Sequence, residues 1–325
     1  MNDTQRKLIV SSSPHLHGDE DTRSIMLDVI VALIPALAVA TYIFGVRALA
    51  LALVCCAACV IFEWGYRFLL KKPDSVLDLS AVVTGLLLSY CLPVTVPLWA
   101  AVIGSGFAII VVKQLFGGIG KNIMNPALAG RAFMFSWPVI MTHWVGPRAY
   151  SNFFDFSLAD AVTGATPLAA LFNGNLPEMT LLEKLVGQSG GSMGEISTFA
   201  LLLGGIYLIW RGIISWRIPV IYTATVFIVA FLFPVGEIAR FDWALWNICS
   251  GGLALGAIFM ATDYTTSPVT SRGQVIYAVG CGLLTLFIRY FGSYPEGVSY
   301  AILVMNACTW LLDKAGKRKV YGEAH

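Results

Sequence analysis

The run Asp160-Ala161-Val162-Thr163-Gly164-Ala165-Thr166-Pro167-Leu168 sets one hydroxyl, on Thr166, directly after two residues with almost no side chain. A phosphate and the enzyme that transfers it can come close to a hydroxyl flanked by Gly164 and Ala165, and Asp160 could position the loop or a metal. A plain turn is the competing reading, because Asp, Thr and Gly are ordinary turn residues and Pro167 biases Thr166 to extended backbone. A second run, Gly117-Gly118-Ile119-Gly120-Lys121-Asn122-Ile123-Met124-Asn125-Pro126-Ala127-Leu128, holds two amides three residues apart. At a helix start, Asn122 and Asn125 would share one face and offer donors and acceptors to the polar edge of a planar ring. Helix capping, with Pro126 in the first turn, accounts for them equally well. In a third run, Asp263 stands among Thr262, Thr265, Thr266 and Ser267. Oxygen-only groups suit a hard cation, so a Na⁺ or proton path could run here, although an interfacial cap explains the same residues.

Other chemistry-bearing side chains have blander readings. Cys55, Cys56, Cys59, Cys91, Cys249, Cys281 and Cys308 all fall in or beside apolar runs and read as small hydrophobes. Cys56 and Cys59 have the spacing of a metal-ligand pair, but no second pair completes a tetrahedral site, so no metal is expected. Asp28, and the Glu63 and Arg67 pair four residues apart, lie near span ends where snorkelling or pairing explains them. His143 and Trp144 suit an interfacial belt.

The elements that must position these groups follow from composition. Of 325 residues, 57% are apolar and only 12% charged, with a mean hydropathy of +0.75. Soluble domains average about 45–50% apolar and about 25% charged residues, so a soluble enzyme is excluded. A net charge of +2 gives no basic footprint, so no nucleic acid is expected as a partner. Crossing a hydrocarbon core of roughly 30 Å takes about 20 residues. Apolar windows predict spans over Ile25–Phe44, Ala48–Leu70, Leu79–Leu92, Val96–Phe116, Ala127–Thr142, Ile196–Trp210, Pro219–Pro234, Trp243–Ala261, Val275–Phe291 and Val298–Leu312. The expected fold is an all-α polytopic membrane protein of about ten helices. The third, fifth and sixth windows are short, as expected of tilted or interrupted helices.

Met1 to Ser24 has no apolar core of a signal peptide, so the first helix is expected to direct insertion. With the N-terminus in the cytoplasm, sixteen Lys and Arg fall inside and five outside, which predicts that both termini are cytoplasmic. The expected divisions are a cytoplasmic tail over 1–24, a membrane half over 25–145, an outer loop over 146–195, a second half over 196–312, and a tail over 313–325. Five spans per half require inverted topology for the second, an arrangement that places sites between halves. The pair Met124-Asn125 recurs as Met305-Asn306 near the last span of each half.

The Asp160, Thr163, Gly164, Ala165, Thr166 pattern resembles the recognition motif of periplasmic flavin transferases, which attach FMN through a phosphoester to the final hydroxyl. With Ser11-Ser12-Ser13-Pro14-His15, the Gly117 to Leu128 run and the Met260 to Pro268 run, the sequence resembles the D subunits of Rnf ion-translocating electron-transport complexes. The related B subunit of the sodium-translocating NADH:quinone reductase shares the flavin motif. The resemblance covers essentially the whole chain. It implies covalent FMN on Thr166, maturation by a flavin transferase, and a second, non-covalent riboflavin on the cytoplasmic side, with Asn122 and Asn125 as contacts. It also implies a place in the inner membrane within a complex of further membrane subunits, a second flavinylated subunit, and iron-sulfur and NADH-reactive subunits. Such a complex links ferredoxin and NAD⁺ to outward Na⁺ or H⁺ movement, and no side chain of this subunit need be catalytic because the cofactor does the redox chemistry. The alternative is a secondary transporter or channel for a small solute, since inverted five-helix halves also build transporters. Sparse intramembrane charge weighs against it.

Overall fold

Each apolar window carries helix, and no β-strand occurs among the described residues. The computed structural model describes residues 21–73, 75–147, 166–236 and 238–315. The Ser11 to His15 run and the motif residues Asp160, Thr163, Gly164 and Ala165 lie outside them.

Helix α1 (Thr22–Phe44) starts at Asp21, whose side chain accepts from the Thr22 amide, and α2 (Val46–Leu69) follows after Gly45 alone. A single 3₁₀ turn, Val76–Asp78, leads into α3 (Ser80–Cys91). Helix α4 (Leu98–Gly106) continues as a π-helix over Phe107–Gln114. Then come α5 (Pro126–Met134) and the single turn of α6 (Pro138–Met141). Two short helices lie in the connecting segment: α7 (Pro167–Phe172) and α8 (Leu181–Val186), the second fixed by a capping box between Thr180 and Glu183. The remaining elements are α9 (Thr198–Trp210), α10 (Arg217–Leu232), α11 (Arg240–Cys249), α12 (Leu253–Leu255, running on as a π-helix over Gly256–Met260), α13 (Ser271–Phe291) and α14 (Val298–Ala315).

Among the described residues, α1, α2 and α13 are long and apolar enough to cross a bilayer, and α11 with α12 forms an apolar pair bent by 63° at its break, as in a broken span or a re-entrant loop. The bend has a local cause. Gly251 sits at φ 72° in the left-handed region, which only glycine enters without strain, and the helix cannot pass through it. Helices α3 and α9, with 12 and 13 residues, fall short of the roughly 20 needed for a full crossing.

The sides of these helices show what surrounds them. Along α2, Leu53, Ile61, Trp64 and Phe68 form an exposed apolar stripe, while Leu51, Cys55, Ala58 and Cys59 face inward. A helix that is apolar on both faces suits lipid outside and protein inside. Helix α1 packs on α9 and α5 on α14, so helices from before and after the connecting segment share one core.

Candidate functional site

Between these two groups of helices lies a cavity of about 360 Å³, within the size range of small-molecule sites (about 300–1,000 Å³). Its walls come from the start of α1 (Ile25, Met26, Val29), the start of α3 (Ser80, Val83, Thr84, Leu87), the loop before α5 (Ile119, Gly120, Asn122, Asn125), and the end of the α12 π-segment with its following turn (Phe259, Thr262, Asp263). Apolar walls with a few polar groups are the usual make-up of a cofactor pocket.

The polar groups divide into those already committed and those left over. Asn125 is committed: its Oδ1 accepts from the Ala127 and Leu128 amides at 3.0 and 3.3 Å, and its Nδ2 donates to the Met260 carbonyl at 3.4 Å. Asn122 is not, because its buried Oδ1 has no partner. Buried polar atoms are seldom left unpaired, so an orphaned acceptor at a cavity wall suits a ligand that brings a donor. Both amides line the cavity, but Asn122 lies in the turn ahead of α5 and Asn125 at its cap, so the shared helix face expected from their spacing is not what brings them together.

Lys113, at the end of the α4 π-segment, supplies a cation to the same wall. Its ammonium donates to Glu63 Oε2 and to Ser80 Oγ, both at 2.6 Å, with Lys113 2% and Glu63 0% exposed. Glu63 also accepts from Ser75 Oγ at 2.6 Å. The expected local pairing of Glu63 with Arg67 is therefore overturned. Arg67 turns away to the Pro73 carbonyl at 2.6 Å, because a buried carboxylate needs a buried counter-ion and, among the described residues, Lys113 is the one that reaches it. The Asp263 carboxylate accepts from the Thr265 and Thr266 hydroxyls at 3.1 Å each, the cap its neighbours predict, and burial pushes its carboxyl above the ordinary range. Asp28 pairs with Tyr207 Oη at 2.6 Å and Arg211 at 3.0 Å.

About 9 Å along α5 from Asn125, at 1.5 Å per residue, Arg131 carries a second buried charge group. Its two terminal nitrogens grip Glu296, and Nη1 also donates to Ser299 Oγ at 2.8 Å. Glu195 stands 4.0 Å from Nη2. Nearby, Arg289 donates to the Asn247 and Ser250 carbonyls at 2.5 and 3.1 Å, and its Nε has no partner. A recess beside Arg289 is walled by Leu168, Leu171 and Phe172 of α7 and by Trp243 and Tyr290. Thr166 caps α7: its Oγ1 accepts from the Ala169 amide at 3.2 Å, and the residue is 7% exposed.

Sequence reasoning missed Glu195, Glu296 and Arg289 as site groups and used Lys113 and Arg131 only in the inside-outside balance of charge. The available signal was a cation inside an apolar window, which is costly unless paired. The recurring Met-Asn pairs do meet. With the Asn306 amide oriented to satisfy its neighbours, its oxygen accepts from the Asn125 backbone amide at 3.1 Å, and its nitrogen donates to the Thr266 carbonyl at 3.2 Å.

Comparison with known proteins fits this architecture. The sequence model of the NQR2, RnfD, RnfE family matches residues 9–322. The D subunit of the Na(+)-translocating ferredoxin:NAD(+) oxidoreductase complex of Acetobacterium woodii is 52% identical, over 97% of this chain and 95% of that one. The D subunit of the proton-translocating ferredoxin:NAD(+) oxidoreductase complex of Clostridium ljungdahlii is 44% identical, over 94% and 93%. The D subunit of an ion-translocating oxidoreductase complex of Stutzerimonas stutzeri is 39% identical, over 92% and 91%. With a match over nearly its whole length and relatives this close, the chain belongs to the NQR2, RnfD, RnfE family.

Proposed function

We propose that this chain is the D-type membrane subunit of an ion-translocating ferredoxin:NAD⁺ oxidoreductase complex, that it carries FMN as a phosphoester on Thr166, and that it holds a second, non-covalent flavin in the cavity between its two groups of helices. The observation that carries the reading is the cavity itself, with apolar walls, the unpartnered Asn122 Oδ1 and the Lys113 ammonium at one end. Flavin chemistry moves one or two electrons at a time, and the protein contributes position and electrostatics.

Asn122 would accept from a ring or ribityl donor, while Asn125, held by its cap bonds, shapes the floor. Lys113, held against Glu63, would add a polar, charged edge to that wall, and the α3 side chains Val83, Thr84 and Leu87 would exclude water from another. At the other site, Thr166 supplies the ester oxygen, and Asp160, Thr163, Gly164 and Ala165 supply the recognition pattern. The Arg289 Nε lacks a partner beside α7, so a donor to an anionic group is on hand there.

In the same reading the chain forms two inverted five-helix halves in the cytoplasmic (inner) membrane, with both termini in the cytoplasm and the Thr166 segment outside. The contact between Asn125 and Asn306 supports it, since it brings the repeated pair together across the halves. Partners would be the other membrane, flavinylated, iron-sulfur and NADH-reactive subunits, with a flavin transferase acting in maturation.

The test is covalent flavin in the denatured chain. Expressed with an active transferase, the wild type should fluoresce as flavin on a denaturing gel and Thr166→Ala should be dark. A dark wild-type band beside a fluorescent control substrate would overturn the covalent assignment and favour a solute carrier.

A further inference from the structure

Arg289 of α13 holds a buried charge that its surroundings answer only in part. It is 5% exposed, and among the described residues no carboxylate lies within ion-pair distance of it. Its Nη1 donates to the Asn247 carbonyl at 2.5 Å and to Asn247 Oδ1 at 3.3 Å, and its Nη2 donates to the Ser250 carbonyl at 3.1 Å. Arg289 thus caps the C-terminal end of α11, whose dipole offsets roughly half an elementary charge. The nearby acids do not supply the rest. Both stand on the Arg131 side of the break at Gly251: Glu296 pairs with Arg131, Glu195 lies 4.0 Å from it, and a Cβ on Gly252 would stand 2.7 Å from Glu296 Oε1 and 4.0 Å from Glu195 Oε1. Lys184 adds a third buried cation and donates to neutral oxygens, Ser189 Oγ at 2.9 Å and the Glu195 carbonyl at 2.7 Å. Three cations around two carboxylates leave one positive charge in excess.

The recess between Arg289 and α7 has room for the missing anion. Its volume is about 60 Å³, several times the roughly 10–15 Å³ that one water needs. The other polar side chains on its wall are engaged: Asn247 Nδ2 donates to the Trp243 carbonyl at 3.0 Å, Trp243 Nε1 to Tyr290 Oη at 3.1 Å, and Tyr290 Oη to the Phe233 carbonyl at 3.1 Å. Arg289 is not fully engaged. Of the five N–H donors of a guanidinium, three are taken by α11, and those left are the unpartnered Nε–H and one on Nη2. These two form a fork that fits two oxygens of one phosphate. The fork lies against α7, since a Cβ on Gly251 would stand 2.9 Å from Leu168 Cδ2 and 3.1 Å from Arg289 Nη2. Thr166 stands two residues before Leu168, and its Oγ1 accepts from the Ala169 amide, a role that an ester oxygen keeps.

From this geometry we infer that the recess is a phosphodiester site, in which the Nε and Nη2 of Arg289 hold the free phosphoryl oxygens of the flavin phosphoester on Thr166. The tether rests on the Thr166 reading; the site itself rests on Arg289. Charge selects the class of anion. A phosphodiester carries a single negative charge, which matches one buried cation in excess, whereas a phosphomonoester carries about 1.5–2 at pH 7 and would leave buried charge unpaired, at a high cost. Arg289 is therefore a positioning residue. It fixes the phosphate end of the flavin against the break between α11 and α12 and takes no part in electron transfer.

Solid-state NMR of the full-length chain tests the contact, with the protein purified with its partner subunits from a host with an active flavin transferase and labelled with ¹⁵N-arginine. An N–H···O contact of about 2.8 Å puts phosphorus within about 4 Å of the arginine nitrogens, close enough for ³¹P–¹⁵N dephasing. The wild type should show that dephasing. Arg289→Lys keeps the charge and can still cap α11, so it should lose the Arg289 contribution while its denatured chain stays fluorescent. Contacts of other arginines are common to all samples and cancel in the comparison. Loss of the same contribution in Thr166→Ala assigns the phosphorus to the tethered flavin. A contribution that persists in Thr166→Ala and is absent in Arg289→Lys assigns it to a phospholipid headgroup, which upholds the phosphodiester site and overturns the tether. A fluorescent wild-type chain with no difference from Arg289→Lys overturns the inference and leaves water as the partner of Nε. A dark wild-type chain means that the Thr166 reading has failed, and the site then stands or falls on whether Arg289 still contacts lipid phosphorus.

Discussion

Glu63→Gln should destabilise the protein by about 3 kcal/mol, the lower end of what breaking a buried ion pair costs. The pair is short and dry, at 2.6 Å with its partners 2% and 0% exposed. The amide retains an acceptor for Ser75 Oγ, so the hydroxyl contact survives and the loss is confined to charge. Lys113 is then left with Ser80 Oγ as its remaining protein acceptor. The lower end of the range applies because Lys113 lines the cavity, where water can enter. At about 1.4 kcal/mol per tenfold, the folded-to-unfolded ratio falls more than a hundredfold. Lys113→Met strands Glu63 in turn and should cost a similar amount. The double variant removes both charges and should cost only about 1–2 kcal/mol, since buried pairs are often replaceable by apolar side chains. The coupling energy should therefore exceed roughly 2 kcal/mol. Unfolding in mixed micelles, followed by tryptophan fluorescence, measures all four corners of the cycle. Additive single effects, with coupling under about 0.5 kcal/mol, would refute a buried ion pair at this wall.

Further outcomes follow from the same contacts. Gly204→Ala would place a Cβ 2.2 Å from the Ala32 carbonyl where α9 crosses α1, so the helices must separate, with a fall in thermal midpoint equivalent to about 1–3 kcal/mol. Asn122→Ala should weaken non-covalent flavin retention about tenfold, the value of one hydrogen bond near the upper end of its usual range, with the melting temperature unchanged. Asn125→Ala should do the reverse, costing about 1 kcal/mol as a lost helix cap with the smaller effect on flavin retention. Flavin released on denaturation and a thermal melt separate the two.

Much of the fold was legible because a bilayer imposes a simple rule on sequence: residues facing lipid and residues facing protein are both apolar, so windows of apolar residues mark helices. The breaks were legible where a residue type forces them. Pro126 behind Asn125 marks the start of α5, whereas the Trp243–Ala261 window reads as one span and its break at Gly251 came from the structure. The Asp263 cap could be read from its threonines, since those contacts are local. Glu63 misled for the opposite reason. Its nearest cation in sequence is Arg67, but burial selects a partner 50 residues away.

Sequence alone determined the membrane class, the helical windows, the local caps and the Thr166 motif, because each depends on composition or on residues within a few positions of one another. Tertiary structure decided which of the two asparagines keeps a free acceptor, that Lys113 and Arg131 are buried counter-ions, and that Glu195 and Glu296 share one place beneath Gly252. Arg131 and Glu296 are 165 residues apart. No local pattern records which distant charge will neutralise a buried one, because that choice is made only when packing removes water from both.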